Sequence, residues 1–383
     1  MKVDMKLANY TRTLMALGVI GTGSILHAEE SAVPLLTAVS STTLSGYVDT
    51  SAIWLPGSGS SNAVPGRSFD GPNKQNGFNL NVVSLVLEKP LEETDWAAGY
   101  RVQLLFGPDA NTLGSLSTLG VASGDVAVKN AYVNLRAPVG NGLTLKMGVW
   151  DTIVGYEVFE SGNNPNYSRS YGYFIEPIIH TGLLANYPLT DWLSISAGIA
   201  DGGGVNTINS RSGIDSLLSY LGSIVLTAPE DFGWLEGSTL YLGIVDAGVQ
   251  GVKDPINFYA GATLPTPVEG LSLGLAYDYR ANGLGDGSYE NATGLYLLWQ
   301  ATEKLKVSGR AEYATGSAGA YGYTGPNSVQ LLGLTGTLAY QLWDHTLSRL
   351  EVRWDHDLDG RGQFLNGTAD NAVSVALNVI YQF

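Results

Sequence analysis

From Ala372 to Phe383 the chain alternates, and this period of two constrains its fold more than any other feature. Counting back from Phe383, the residues Tyr381, Val379, Leu377, Val375 and Val373 are apolar. Between them lie Gln382, Asn378, Ala376 and Ser374, polar or small, with Ile380 the exception. A strand turns successive side chains to opposite faces, so one face is greasy and the other tolerates water. The pattern recurs upstream. Leu271, Leu273, Leu275, Tyr277 and Tyr279 share one parity, and Asp278 and Arg280 take the other. Leu305, Val307 and Tyr313 alternate with Lys306, Ser308, Arg310 and Glu312, as Tyr100, Val102, Leu104 and Phe106 do with Arg101 and Gln103. Charges confined to one parity of a long strand suit a water-filled lumen better than a packed core. A last strand that stops on an aromatic residue suits a sheet that closes on its first strand.

The expected fold is all-β: a transmembrane, antiparallel, up-and-down barrel of about sixteen strands, within a range of 14 to 18. The strands are expected to start near Leu44, Phe78, Ala97, Val126, Leu143, Ile178, Leu193, Leu217, Leu240, Asn257, Leu271, Ala292, Leu305, Val329, Leu347 and Val373. Register is ambiguous at Val82-Val83 and around Lys129, where the alternation breaks. Short connections (139–142, 190–191, 267–270, 302–303, 344–345) alternate with long ones (56–77, 107–124, 151–177, 202–213, 316–328), which gives an even strand count and both ends of the barrel on the short-turn side. Trp96, Trp192, Trp299 and Trp343 fall beside short turns, and Trp54, Phe106, Tyr279, Tyr313 and Trp354 toward long loops, as two interfacial girdles require.

The front of the chain reads as a secretory signal. Lys2, Lys6 and Arg12 precede a short apolar stretch from Leu14 to Ile20, and Leu26-His27-Ala28 is a cleavage pattern, so residues 1–28 are excluded from the fold. A short segment, 29–41, then leads into a barrel over 42–383. Loss of three basic residues and Asp4 moves the net charge from −15 to −17, which repels nucleic acid. The chain has no cysteine, which excludes thiolate metal sites, disulfide frameworks and cysteine nucleophiles. No apolar run after residue 28 is long enough for a membrane-spanning helix.

The third long loop, 151–177, has the most character. It carries Glu157, Glu160, Arg169 and Glu176 among Tyr156, Phe159, Tyr167, Tyr171, Tyr173 and Phe174. So aromatic a loop would expose a large apolar patch if it stood in water, so it is expected to fold into the lumen. Glu157, Glu160 and Arg169 are the expected constriction, their carboxylates opposite wall cations such as Arg101 and Arg310, on a lumen wall that also carries Asp278, Arg280, Glu312, Arg349, Glu351 and Arg353. Arg349, Glu351, Arg353 and Asp355 share one parity, and as a lateral ladder they need no functional role. Asp355, Asp357 and Asp359 with Gly360 copy the start of a calcium loop, but its twelfth position is Asn366 and strands flank it, so a structural loop is the better reading. His180, His345 and His356 are widely separated, with no sequence arrangement typical of catalysis, so no enzyme activity or cofactor is expected.

Several stretches resemble the OmpL-like β-barrel porin family. They are Ser45-Gly46-Tyr47-Val48-Asp49, Gly77-Phe78-Asn79-Leu80-Asn81, Gly155-Tyr156-Glu157, and the most distinctive block, Asn163 to Tyr171 with His180-Thr181-Gly182. The strand bearing Arg349, Glu351, Arg353 and Asp355 is similar to that family's penultimate strand. The resemblance implies an outer-membrane channel and supplies neither a substrate nor catalytic residues. The acidic chain and the loop carboxylates Glu157 and Glu160 add the expectation of a mildly cation-selective diffusion channel for small hydrophilic solutes or ions, with outer-membrane lipid as surroundings and a homotrimer as the assembly. Tyr381 and Phe383 resemble the recognition signal of the barrel-assembly machinery. The alternatives are an outer-membrane barrel enzyme and a secreted β-sandwich carbohydrate binder.

Overall fold

The structure is a computed structural model that describes residues 41–56, 64–69, 74, 76–113, 125–202, 206–210, 218–249, 253–323, 325–362, 364 and 369–383. The signal peptide and its cleavage site near Ala28 lie outside the described residues, as does Asn366.

Sixteen strands form one closed barrel, each antiparallel to its neighbours in chain order. They are β1 Thr43–Trp54, β2 Gly77–Lys89, β3 Ala97–Phe106, β4 Val126–Ala137, β5 Leu143–Asp151, β6 Ile179–Thr190, β7 Leu193–Asp201 and β8 Leu218–Thr227. The second half is β9 Thr239–Asp246, β10 Ile256–Pro265, β11 Leu271–Ala281, β12 Tyr289–Gln300, β13 Leu305–Gly316, β14 Val329–Trp343, β15 Thr346–Asp357 and β16 Asn371–Gln382. The expected starts fall within one or two residues of these, except β12, which begins before Ala292. Its early residues are held because Glu290 pairs with Arg280 of β11 across a tight connection (Arg280 Nε to Oε2, 2.5 Å). β16 closes on β1 with Val48 opposite Tyr381 and Trp54 opposite Val375. Phe383 adds two main-chain bonds to Gly46, of 2.9 and 3.0 Å.

Parity follows the alternation. On β15, Arg353 is fully buried while its neighbour Val352 is 49% exposed on the membrane side. Trp54, Trp96, Trp192, Trp299, Trp343 and Tyr313 are all exposed near strand ends. The two ambiguous registers are β-bulges. Asp49 pairs with Val82 and Thr50 with Leu80, so Asn81 is the extra residue. Gln103 pairs with Asn130 and Leu104 with Val128, so Lys129 is the extra one. An unpaired residue lets two successive side chains turn to the same side. Here it brings Asn81 and Lys129 into the interior, where both are buried.

Candidate functional site

Loop L3 runs from the end of β5 to the start of β6 and lies inside the barrel. Its neck is closed by a main-chain bond from Thr152 N–H to the Ile178 carbonyl (2.9 Å). Just past the neck, Ile153 and Val154 pack against Leu184, Leu221, Val245 and Tyr259 on the wall. Gly243 of β9 has no side chain because one would run into Val154. Tyr156 then stacks on Tyr296 of β12 (4.2 Å between ring centres), and its hydroxyl bonds Thr263 of β10 (3.1 Å).

The charged residues follow. The Glu157 carboxylate accepts from Arg310 of β13 (2.8 Å), Ser170 N–H (2.7 Å) and the Tyr296 hydroxyl (3.2 Å). Glu160 accepts from Lys129 (2.9 Å) and Gln103 (2.9 Å). Burial alone would raise the Glu160 carboxyl, but the Lys129 ammonium outweighs it and holds the group down at about 2. Arg169 turns back into its own loop. It donates to the carbonyls of Val158, Tyr167 and Phe159 at 3.1, 2.9 and 2.5 Å, flanked by the rings of Phe69 and Tyr173. A short helix, α1 (Tyr171–Ile175), follows, capped by the Ser170 hydroxyl, which accepts from Tyr173 N–H at 3.0 Å. At the loop's exit, Glu176 hydrogen-bonds Asp278 of β11, the protonated carboxyl of the two donating to the other. Burial, and then the adjacent Asp278 carboxylate, push the Glu176 carboxyl well above the usual range.

The wall residues of β13 to β15 chiefly serve L3's main chain. Glu351 accepts from Tyr167 and Ser168 N–H (2.6 and 2.9 Å), and Glu312 from Tyr171 N–H (2.6 Å). Arg349 donates to the Ser161 and Asn166 carbonyls (2.8 and 3.2 Å), Arg310 to that of Ser168 (2.7 Å), and Arg353 to that of Arg169 (2.5 Å). A non-repetitive loop inside a barrel has peptide groups without ladder partners, and each left unsatisfied would cost on the order of 1–3 kcal/mol. The alternating charges supply those partners: arginines for the carbonyls, glutamates for the N–H groups. They also pair laterally, Arg310 with Glu312 at 2.7 Å and Arg353 with Asp355 at 2.9 Å.

Two expectations change. Arg101 makes no direct pair with L3's carboxylates; it pairs with Glu88 on the neighbouring strand at 2.7 Å, and Glu160 acts on it only through its longer-range field. Arg280, on the same face of β11 as Asp278, pairs with Glu290 across strands. Glu157 and Arg169 present no free charge to a channel, because burial requires that each be matched, and each is. The expected cation preference rested on Glu157 and Glu160, and both carboxylates are paired with wall cations. Asp355, Asp357 and Asp359 do not converge: Asp355 is taken by Arg67, Arg353 and the Tyr171 hydroxyl, while Asp357 accepts the backbone N–H of Asp359 and Arg361. Among the described residues no cluster of metal-ligating side chains occurs.

Sequence reasoning missed Arg67. From the first long loop its Nε reaches Asp355 at 2.9 Å, and its Nη1 reaches Ser374 of β16 at 2.8 Å. It also missed Lys74 of the same loop, which pairs with Asp109 of the second at 2.9 Å. A lone basic residue in a polar loop carries no local sign of either contact. Toward the turn end of the lumen, the inward-facing charged residues among those described are Glu88, Arg101, Arg136, Lys146 and Lys306.

A family model described as "Putative beta-barrel porin-2, OmpL-like" matches residues 41–383. Among solved structures, the anion-selective porin from Comamonas acidovorans is similar at 14% identity and a TM-score of 0.56, covering 90% of this chain and 99% of that one. The outer membrane channel DcaP of Acinetobacter baumannii is similar at 11% identity and 0.56, covering 89% and 97%. The trimer form of OmpT, an outer membrane protein of Vibrio cholerae, is similar at 13% identity and 0.55, covering 89% and 99%. Comparison with curated proteins gives no match.

Proposed function

This chain belongs to the OmpL-like β-barrel porin-2 family, and we propose that it is an outer-membrane channel, not an enzyme, which small hydrophilic solutes cross by passive diffusion past a constriction built by L3. The observation that carries this reading is the docking of L3 at mid-barrel by side chains of β11 to β15, on a wall that is otherwise closed and continuous. A loop whose peptide groups are held by buried charges is a fixed feature, so it narrows the lumen permanently instead of opening and closing with each solute. Glu160, whose side chain keeps 19% exposure, is the loop carboxylate left partly open to solvent.

The test is single-channel recording of the purified protein in planar bilayers. Discrete, ohmic steps support a diffusion channel, and their enlargement on shortening L3 between Glu157 and Arg169 supports the constriction. A folded barrel that gives no steps defeats the reading.

Two further parts of the reading concern assembly. Tyr381 and Phe383 lie exposed on the membrane face of the closing strand, and they serve as the signal for the barrel-assembly machinery. Deleting Phe383 is expected to lower the amount of heat-modifiable barrel in the outer membrane, and unchanged yield counts against the role. The chain assembles as a homotrimer in the surrounding lipid, a reading supported by the fold it shares with a trimeric V. cholerae protein. Light scattering on the detergent-solubilised protein measures the subunit number.

A further inference from the structure

We propose that the turn half of the lumen holds a receiving site for small carboxylate-bearing anions, built from Lys146, Arg136 and Arg101 on the inward face of β3 to β5; this deepens the channel reading and rests on it. The chain as a whole carries a net charge of −15. On this stretch of wall the balance reverses. The acids in reach of Lys146 are Glu88 and Asp151, and each already has a cation: Glu88 has Arg101 at 2.7 Å, and Asp151 has Lys129 at 2.6 Å. Glu160 of L3, above them, is held by the same Lys129.

Lys146 has no such partner. Its ammonium stands over the Tyr132 ring, 4.6 Å from the centre, which steadies a cation without neutralising it. Arg136 folds back over Gly142 at the mouth, and no carboxylate pairs with it among the described residues. The register brings these groups together. Lys146 lies opposite Asn134, so Tyr132 and Arg136 are both its diagonal neighbours on β4, and Arg101 lies opposite Tyr132. Diagonal neighbours on one face of a sheet are about 7–8 Å apart, a span that long side chains close. A carboxylate can therefore accept from the Lys146 ammonium with one oxygen and from the Arg136 fork with the other, while Arg101, partly exposed and paired with Glu88, presents its guanidinium to the same face.

The site would raise the local concentration of anions in the narrow lumen and weaken as salt screens it. Reversal potentials in a potassium chloride gradient at about 0.1 M, where the screening length is ~10 Å, test this. The expected result is chloride preference, with chloride current reduced by succinate added at the turn end. In the double variant Lys146→Gln with Arg136→Gln, the chloride-to-potassium permeability ratio should fall about fivefold, and the succinate block should disappear. Lys146→Arg with Arg136→Lys should keep both. Arg136→Gln alone, at the mouth, should show a smaller shift of the same sign and serves if the double variant does not fold. Channels whose ratio and succinate block are unchanged in these variants overturn the proposal alone. Heat-modifiable wild-type protein that never conducts overturns the channel reading and the proposal with it.

Discussion

The two sides of the barrel interior are built from different residues. Facing inward from β12 to β15 are Glu290, Arg310, Glu312, Arg349, Glu351, Arg353 and Asp355, all buried. Facing inward from β6 to β10 are residues such as Ser194, Ser219, Ser223, Gly243 and Gly261, and His180 is the one charged or imidazole-bearing side chain among those described there. L3 touches both sides, but differently. It meets the charged side chiefly through its peptide groups and the small side chiefly through Ile153 and Val154, with a peptide contact there, from Asn257 of β10 to the Ile175 carbonyl at 2.8 Å. A barrel wall can thus hold a loop either by satisfying its backbone or by leaving room for its side chains. Only the first kind of contact makes the wall's charges obligatory.

Breaking the charged side should have the largest effect. Arg310→Gln leaves Glu157 buried without its cation and should cost about 3–5 kcal/mol, read as a lower denaturation midpoint, together with larger conductance as L3 loosens. An unchanged midpoint would mean that L3 is not held by this pair. Next in size is a change on the membrane face. Leu295→Arg, at the middle of β12, should destabilise by about 2–4 kcal/mol, which would show that the parity separating lumen from lipid is correctly drawn.

A third effect depends on pH. Glu160 is held at about 2, below the ordinary carboxylate value, so its contribution to docking is present above that ordinary value and is lost as pH falls toward 2. Glu176 is raised, so its contribution is full below the ordinary value and is lost as pH rises through its elevated one. Conductance should accordingly be lowest between these limits and increase on either side. Glu176→Gln, which cannot ionise, should abolish the alkaline increase while leaving the acid one. If the alkaline increase persists in that variant, the Glu176–Asp278 contact is not its source. The smallest effect on stability belongs to the other wall. Ser196→Leu on β7 should change stability by no more than about 0.5 kcal/mol, yet reduce conductance if solute passes along the small-residue side.

Much of the fold was legible because a strand's parity is local. The side chains of Arg310, Glu312, Arg349, Glu351 and Arg353 point where the alternation places them, and the strand starts were readable from the same pattern and the turn residues. The bulges at Asn81 and Lys129 appeared in the sequence only as breaks, since which residue is extra depends on the partner strand's register. L3's inward course could be inferred from its aromatic residues, but the fate of its charges could not. Glu157 and Arg310 are 153 residues apart, and Arg67 and Asp355 are 288 apart.

By itself, then, the sequence determined the barrel class, the strand parity and the polarity of each face, because these follow from a side-chain period of two and need no knowledge of distant residues. Closure of β16 on β1 and the packing of L3 decided which charges remain available. An ion inside a barrel is stable only where it meets a counter-charge or a peptide group, and those partners are chosen by the folded geometry. Glu157 and Arg169, prominent in the sequence, are spent on holding the loop, and Lys146, inconspicuous in it, stands over the Tyr132 ring with no carboxylate paired to it.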